Sequence, residues 1–141
     1  MQASVKLKDV EYRPREDEPF MNDRQLEYFR HKLLDWKDDI LRESRETVTH
    51  LQSETENHPD LADRASCEAD RALELRTRDR QRKLISKIDD ALRRIEARAY
   101  GYCEETGEPI GLARLEARPI ATLGLEAQEQ HERRERVHRD E

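Results

Sequence analysis

Helix-breaking residues are almost absent from more than half of the chain, and this absence constrains the fold more than any other feature. Between Met21 and Ala99 there is no glycine, and the one proline, Pro59, lies near the midpoint. Glycine costs about 1 kcal/mol and proline about 3 kcal/mol in a helix interior, so the stretch is typical of long helices. It predicts two helices of about 35 residues each, joined at Pro59 and packed as an antiparallel hairpin.

The charge content limits both the core and the partners of such a chain. Of its 141 residues 43% are charged and 34% are hydrophobic, which is too lean for a large globular core. Charges of both signs are interspersed and apolar residues recur at helical spacing, so we expect a charged hairpin with a narrow apolar seam. The net charge of −6 disfavours a general DNA-coating role, which needs a cationic face.

Composition divides the chain into four predicted segments. Residues 1–20 show little periodicity and are interpreted as a flexible or loosely docked leader. The coiled-coil hairpin covers residues 21–99, with its tip near 58–65. All four glycines lie in residues 100–124, a small globular knob, and residues 125–141 form a charged C-terminal helix. The expected fold class is therefore mainly α.

Apolar residues in both arms follow alternating spacings of three and four, the pattern of a coiled-coil seam. In the first arm they are Leu26, Phe29, Leu33, Trp36 and Ile40, and in the second Leu73, Leu84, Ile88, Ala91, Leu92 and Ile95. A small core is predicted for the knob from Tyr100, Tyr102, Leu112, Leu115, Ile120, Leu123 and Leu125.

Two aspartates, Asp60 and Asp63, lie at the turn beside Pro59. Proline disfavours helix at the residue before it, so the second arm is predicted to start at Asp60. The two carboxylates would cap that helix and complement its dipole, or act as effectors presented at the tip, and the two interpretations are compatible. A protruding tip offers no pocket and no nucleophile, so an enzyme is not expected.

A cationic run occupies residues 76–83, with five positive charges and one negative charge. One interpretation is that it pairs with acidic residues across the hairpin. The other is an anion site for phosphate or for an acidic protein groove, where the bidentate geometry of arginine helps. Both remain open from the sequence.

The two cysteines, Cys67 and Cys103, are predicted to be free thiols of a cytoplasmic protein, because no signal peptide or membrane segment is recognisable. A zinc knuckle would require two Cys-x-x-Cys pairs, and of these ligands Cys103 alone is present. Bound zinc is therefore not expected.

Three motifs together resemble the DksA family (DksA/TraR) of bacterial transcription factors over about residues 20–130. They are the tip PDLADRA, the run LELRTRDRQRKLISKI and the knob sequence YGYCEETGEPIGLARLEARP. The resemblance implies a coiled-coil hairpin, a zinc-binding globular domain and a C-terminal helix. It also implies a non-enzymatic, monomeric regulator that enters RNA polymerase through the secondary channel. Such a regulator acts with guanosine tetraphosphate (ppGpp) in the stringent response, represses ribosomal RNA promoters and modulates others by changing open-complex stability.

The resemblance also assigns residues. The family's effector acids at the tip match Asp60 and Asp63, with the adjoining small residue at Ala65, and these would act near the polymerase active site. The ppGpp site at the polymerase rim matches Arg80, Leu84, Lys87 and Arg118, whereas a further lysine of that site is Gln128 here.

Of the family's four zinc cysteines this chain keeps Cys103, and the other positions hold Thr106, Gly124 and Ala127. The resemblance therefore implies a zinc-independent member with a degenerate zinc finger. Because structural zinc contributes folding energy, we expect the knob to be stabilised instead by docking on the hairpin base and the terminal helix.

Two other functions stay open. A Gre-type transcript-cleavage factor would use the tip carboxylates to hold a catalytic magnesium for the polymerase's own hydrolysis of RNA. A structural coiled-coil adaptor would pair the cationic run with an acidic partner and would need no special tip. Direct nucleic-acid binding through the knob is the least favoured, because the knob has few aromatic residues and has lost its zinc ligands.

Overall fold

A computed structural model describes residues 12–55 and 61–140, and within these ranges the protein is built from helices. In chain order they are α1 (Asp23–Thr55), α2 (Leu61–Glu96), α3 (Leu112–Ala117) and α4 (Leu125–Asp140). The extended pairing in these ranges is a single antiparallel bridge between Tyr102 and Pro109. The predicted class, mainly α, is confirmed. No helix of the described ranges has the length and apolarity needed to cross a membrane.

Local signals explain where the long helices begin and end. The Asn22 side chain caps α1 by accepting the Gln25 backbone N–H at 2.9 Å. At the end of α2, the Ala99 N–H donates to the Arg94 carbonyl at 2.8 Å, and Arg98 takes the left-handed conformation with φ 58°. Glycine usually fills that position. The Arg98 guanidinium also pairs with Asp23 at 2.7 Å, which joins the end of α2 to the start of α1.

The chain forms two compact units. The knob unit contains the described residues up to Leu33 together with those from Ala91 onward, and the arm unit contains Leu34–Asp90.

Aromatic and aliphatic side chains fill the core of the knob unit. Phe29, Tyr100 and Leu115 are fully buried, and the rings of Phe29 and Tyr100 lie 5.6 Å apart. The Tyr100 hydroxyl donates to the Pro119 carbonyl at 2.7 Å, so its one polar group is satisfied inside the core. Burial raises the pKa of Tyr100, which therefore remains a neutral donor.

Part of the predicted knob core is wrong. Leu112 and Ile120 are buried as predicted, whereas Tyr102 is 38% exposed and Leu125 is 61% exposed. The buried residue of α4 is Ala127, and Leu125 precedes it by two positions, about 200° around the helix. Leu125 therefore lies on the opposite face of α4 from the buried position.

In the arm unit α1 and α2 run antiparallel. Lys37 Nζ pairs with Asp89 Oδ1 at 2.7 Å, and Gln81 Nε2 donates to Glu43 Oε2 at 3.4 Å, so residue numbers rise along one helix as they fall along the other. Ile40 and Ile88 are buried. Between them, at residues 41–87, no described side chain is buried.

The predicted seam of the second arm is wrong at Leu73, which is 58% exposed. Steps of seven residues back from the buried Ile95 and Ile88 lead to Gln81 and Glu74, which are both half-buried. Leu73 lies one residue, or about 100° around the helix, from that register. The inner face of this stretch is therefore polar.

Residues 12–22, which we call the N-terminal strap, follow an ordered path in the knob unit. They belong mostly to the segment predicted to be a flexible or loosely docked leader, whose first eleven residues lie outside the described ranges. Met21 is buried, and the Phe20 ring contacts the Tyr102 ring edge-on at 5.5 Å. The described part of the leader is therefore docked by specific contacts.

Candidate functional site

The predicted tip acids lie at the start of α2. Asp63 is the third residue of this helix, Ala65 is exposed, and Asp60 lies outside the described residues. Carboxylates are generally favoured in the first turn of a helix, so capping by Asp63 stays a prediction. Its role as an effector stays a prediction.

Three of the four residues predicted to contact ppGpp share one face of α2. Arg80, Leu84 and Lys87 follow one another at spacings of four and three residues, which places them within about 60° of each other around the helix. The two cations are exposed and Leu84 is half-buried. Neither Arg80 nor Lys87 forms an ion pair with any residue that the structure describes.

The neighbouring cations of the run pair within their own helix. Arg82 and Lys83 approach Asp79 at 3.8 and 3.5 Å, and all three side chains are largely exposed, so these pairs stabilise the helix little. The ion pairs of Arg82 and Lys83 therefore lie within α2 and do not reach acidic residues of α1. The two exposed cations Arg80 and Lys87 remain available to an anion.

Arg118, the fourth predicted ppGpp contact, belongs to the knob unit. It directly follows α3, its backbone N–H donates to the Arg114 carbonyl at 2.7 Å, and its side chain is exposed. Gln128, at the position of the family's further lysine, donates to Glu132 in its own helix at 3.2 Å. An amide engaged in this way supplies no positive charge.

Three side chains, Glu116, Tyr28 and Lys32, form a clasp that fastens α3 to α1. Arg118 follows α3 by one residue and is positioned by the same contact. The Glu116 carboxylate accepts hydrogen bonds from the Tyr28 hydroxyl and from Lys32 Nζ, the latter at 3.1 Å. Tyr28 and Lys32 are four residues apart and therefore share one face of α1. Burial and the Glu116 hydrogen bond raise the pKa of Tyr28 to about 12, so its phenol stays protonated and keeps donating at neutral pH.

Cys103 lies in a loop shaped by backbone hydrogen bonds. Its N–H donates to the Glu108 carbonyl at 2.8 Å and its carbonyl accepts the Gly107 N–H at 2.9 Å. The thiol is 4% exposed. The Thr106 hydroxyl, followed by backbone N–H groups including that of Gly124, stabilises the thiolate and lowers the pKa of Cys103 to about 7, although burial acts in the opposite direction.

The four positions of the family's zinc cysteines do not fit a zinc ion in this chain. Gly124 and Ala127 have no ligand atom in their side chains, and the Thr106 hydroxyl is a hydrogen-bond partner of Cys103. A structural zinc site needs four ligands. Within the described ranges no cluster of three or more His, Cys, Asp or Glu side chains is arranged to hold a metal ion.

The Cys103 environment predicts a thiol that titrates near neutral pH. Its pKa of about 7 in the folded protein is below the ordinary value of 9.0, so folding favours the thiolate. The resulting stability is fully present above the ordinary value and is lost as the pH falls through about 7. Thr106→Val removes the principal donor and should raise the pKa of Cys103.

Ultraviolet absorbance of the thiolate during a pH titration measures this pKa. Cys103→Ser is the control, because it leaves Cys67 as the remaining thiol. If Thr106→Val titrates like the unsubstituted protein, the assigned role of the Thr106 hydroxyl is wrong.

Comparison with known proteins covers nearly the whole chain. Residues 25–95 match the family model for the N-terminal domain of DnaK suppressor protein DksA, and residues 98–133 match the model for the prokaryotic dksA/traR C4-type zinc finger. The chain is 79% identical to an RNA polymerase-binding transcription factor DksA of Caulobacter vibrioides, across 99% of this chain and 98% of that protein. Identity to the protein of the same name in Escherichia coli K12 is 46%, across 89% of this chain and 83% of that one.

One solved structure gives the same fold. The transcription factor DksA2 from Pseudomonas aeruginosa superposes with a TM-score of 0.77 at 44% sequence identity, covering 83% of this chain and 90% of that one.

Proposed function

The chain belongs to the DksA family, and we propose from this that it is a transcription factor that binds bacterial RNA polymerase. The observation that carries the proposal is the 79% identity to a protein named for that activity, over nearly the full length of both chains. The similarity therefore includes the helical arms, the knob and the C-terminal helix together. The same function would place the protein in the cytoplasm, acting as a monomer without sequence-specific DNA binding.

We further propose that the arms enter the secondary channel of the polymerase with the segment around Pro59 leading. Asp60 and Asp63, beside Ala65, would then reach the active-site region and lower the stability of open complexes. Two features support this: α1 and α2 are long and antiparallel in the arm unit, and Asp63 lies in the first turn of α2. A helix dipole favours a carboxylate at this position, and the helix sets the place of its backbone.

Exposed cations support ppGpp as the effector. Arg80 and Lys87 flank Leu84 on one helix face, and neither has an acidic partner within the described residues. Guanidinium and ammonium groups of this kind bind phosphates through charge-assisted hydrogen bonds. Arg118 would add a further contact from the knob unit. Because Gln128 lacks the charge of the family's lysine, we propose a weaker response to ppGpp than a lysine would give.

We propose that the protein works without zinc. Two of the four ligand positions hold glycine and alanine, and a third, Thr106, is hydrogen-bonded to the remaining cysteine. Purified protein should therefore contain far less than about one zinc per chain, and its melting temperature should not fall in excess chelator. Elemental analysis and thermal denaturation measure these two quantities. A stoichiometric zinc content would contradict the proposal.

Transcription in vitro tests the proposed function as a whole. Purified polymerase at a ribosomal RNA promoter should be repressed by the protein, and more strongly with ppGpp than without it. A cleavage assay on backtracked complexes separates this function from that of a Gre-type factor, which would shorten the transcript. A structural adaptor would tolerate substitutions at the tip.

A further inference from the structure

The N-terminal strap begins with an aromatic contact on α1. The Tyr12 ring meets the Tyr28 ring edge-on at 6.2 Å, and the Arg24 guanidinium lies 3.9 Å from the Tyr12 ring centroid. The Tyr12 hydroxyl donates to the Glu18 carboxylate at 3.0 Å. A cation over an aromatic ring is attracted by the negative face of the ring. The first residues of the strap are therefore held against α1.

A buried glutamine of α1 clips the strap at two points. Gln25 is fully buried, its Oε1 accepts the Met21 N–H at 2.8 Å, and its Nε2 donates to the Arg15 carbonyl at 3.2 Å. A buried amide must find hydrogen-bond partners, and here the strap backbone provides them. The side-chain hydrogen bonds of Gln25 thus join α1 to the strap at Met21 and Arg15.

The far end of the strap covers the beginning of the knob. Met21 has φ 53° and is buried, and Gly101 has φ 92°. A Cβ placed on Gly101 would lie 2.8 Å from Met21 Cγ and 3.3 Å from the Phe20 ring, so Met21 and Phe20 lie close against the bare backbone of Gly101. Phe20 also contacts Tyr102. These contacts end one residue before Cys103.

We propose that the strap fastens the knob to α1 and thereby takes over the stabilising role of a structural metal. A zinc knuckle obtains its folding energy from ligation, and a segment as short as residues 100–124 cannot bury enough surface alone. The strap supplies apolar burial at Met21 and an aromatic contact at Phe20, and Gln25 of α1 holds it by a buried polar clip. The inference rests on the proposed zinc independence and assigns Gln25 as a positioning residue.

Hydrogen exchange of the full-length protein tests the proposal directly. Gln25→Ala leaves two strap groups without their partners, and we expect amides of residues 100–124 to exchange about tenfold faster, together with those of the strap. Gln81→Ala is the matched control, since Gln81 is a half-buried glutamine of the arm unit that donates to Glu43. If only the strap amides of Gln25→Ala exchange faster and those of the knob do not, the proposal is overturned.

Restoring the four cysteines separates the proposed role of the strap from a general contribution of Gln25 to stability. Thr106→Cys, Gly124→Cys and Ala127→Cys together complete four cysteines with Cys103. In this background, Gln25→Ala should lower the melting temperature much less with zinc than with chelator, because ligation then fastens the knob. An equal drop under both conditions, in protein that carries zinc at the four cysteines, would overturn the proposal. Zinc in the unsubstituted protein would instead contradict the proposed zinc independence.

Discussion

Asp63→Asn should abolish repression at a ribosomal RNA promoter while polymerase binding stays largely intact. Losing one carboxylate near the N-terminus of a helix costs about 0.3–1 kcal/mol, which is too little to unfold the first turn of the 36-residue α2. The negative charge is lost, and under the proposed function it is this charge that acts on the open complex. Transcription in vitro with increasing protein measures repression, and competition with the unsubstituted protein for polymerase measures binding.

Asp70→Asn is the matched control for this substitution. Asp70 lies on α2 seven residues after Asp63, on nearly the same helix face, and is exposed. Asp70→Asn changes the net charge by the same amount as Asp63→Asn. Because Asp70 lies outside the predicted tip, its substitution should leave repression unchanged. Full repression by Asp63→Asn would contradict the assigned role of the tip, and loss of repression in both variants would assign the effect to net charge.

Phe29→Ala should lower the free energy of unfolding by about 3–5 kcal/mol. Phe29 is fully buried, and its ring lies 5.2 Å from that of Tyr28 and 5.6 Å from that of Tyr100. Alanine favours helix more than phenylalanine does, so the loss would come from the cavity and not from α1 itself. Domains of this size are stable by about 5–15 kcal/mol, so a large fraction of the stability would be removed.

Chemical denaturation followed by circular dichroism measures this loss. Leu75→Ala is the control, because Leu75 is a large apolar residue that is 49% exposed, and its loss should change the free energy by less than about 0.5 kcal/mol. Equal effects of the two substitutions would show that Phe29 is not part of a tightly packed core.

The helices were predictable because their determinants are local. The absence of glycine between Met21 and Ala99 and the three-four spacing of apolar residues indicate long amphipathic helices without knowledge of any contact. Phe29, Leu33, Ile88 and Ile95 are buried as the seam predicts. Leu73 is exposed because it lies outside the seven-residue register of the buried Ile88 and Ile95, and the sequence alone does not fix that register.

The arrangement around the knob depends on partners that are distant in sequence. Glu116 is 88 residues from Tyr28, so nothing in the pattern of either segment indicates that they form a clasp. Residues 12–20 have no periodicity, and their order comes from α1 side chains such as Gln25 and Arg24. All four residues between Met21 and Leu26 are polar, so the sequence does not single out Gln25 as a buried clip. The tip acids remain predictions carried by the family resemblance.

The polar inner face of the arm unit makes the stability of the chain uneven. Between residues 41 and 87 the described side chains are at most half-buried, so opening a turn of helix there forfeits little apolar burial. The knob unit, with Phe29, Tyr100 and Leu115 fully enclosed, has much more to lose on opening. If the arms enter the polymerase channel as proposed, part of the free energy of binding would therefore go into ordering them.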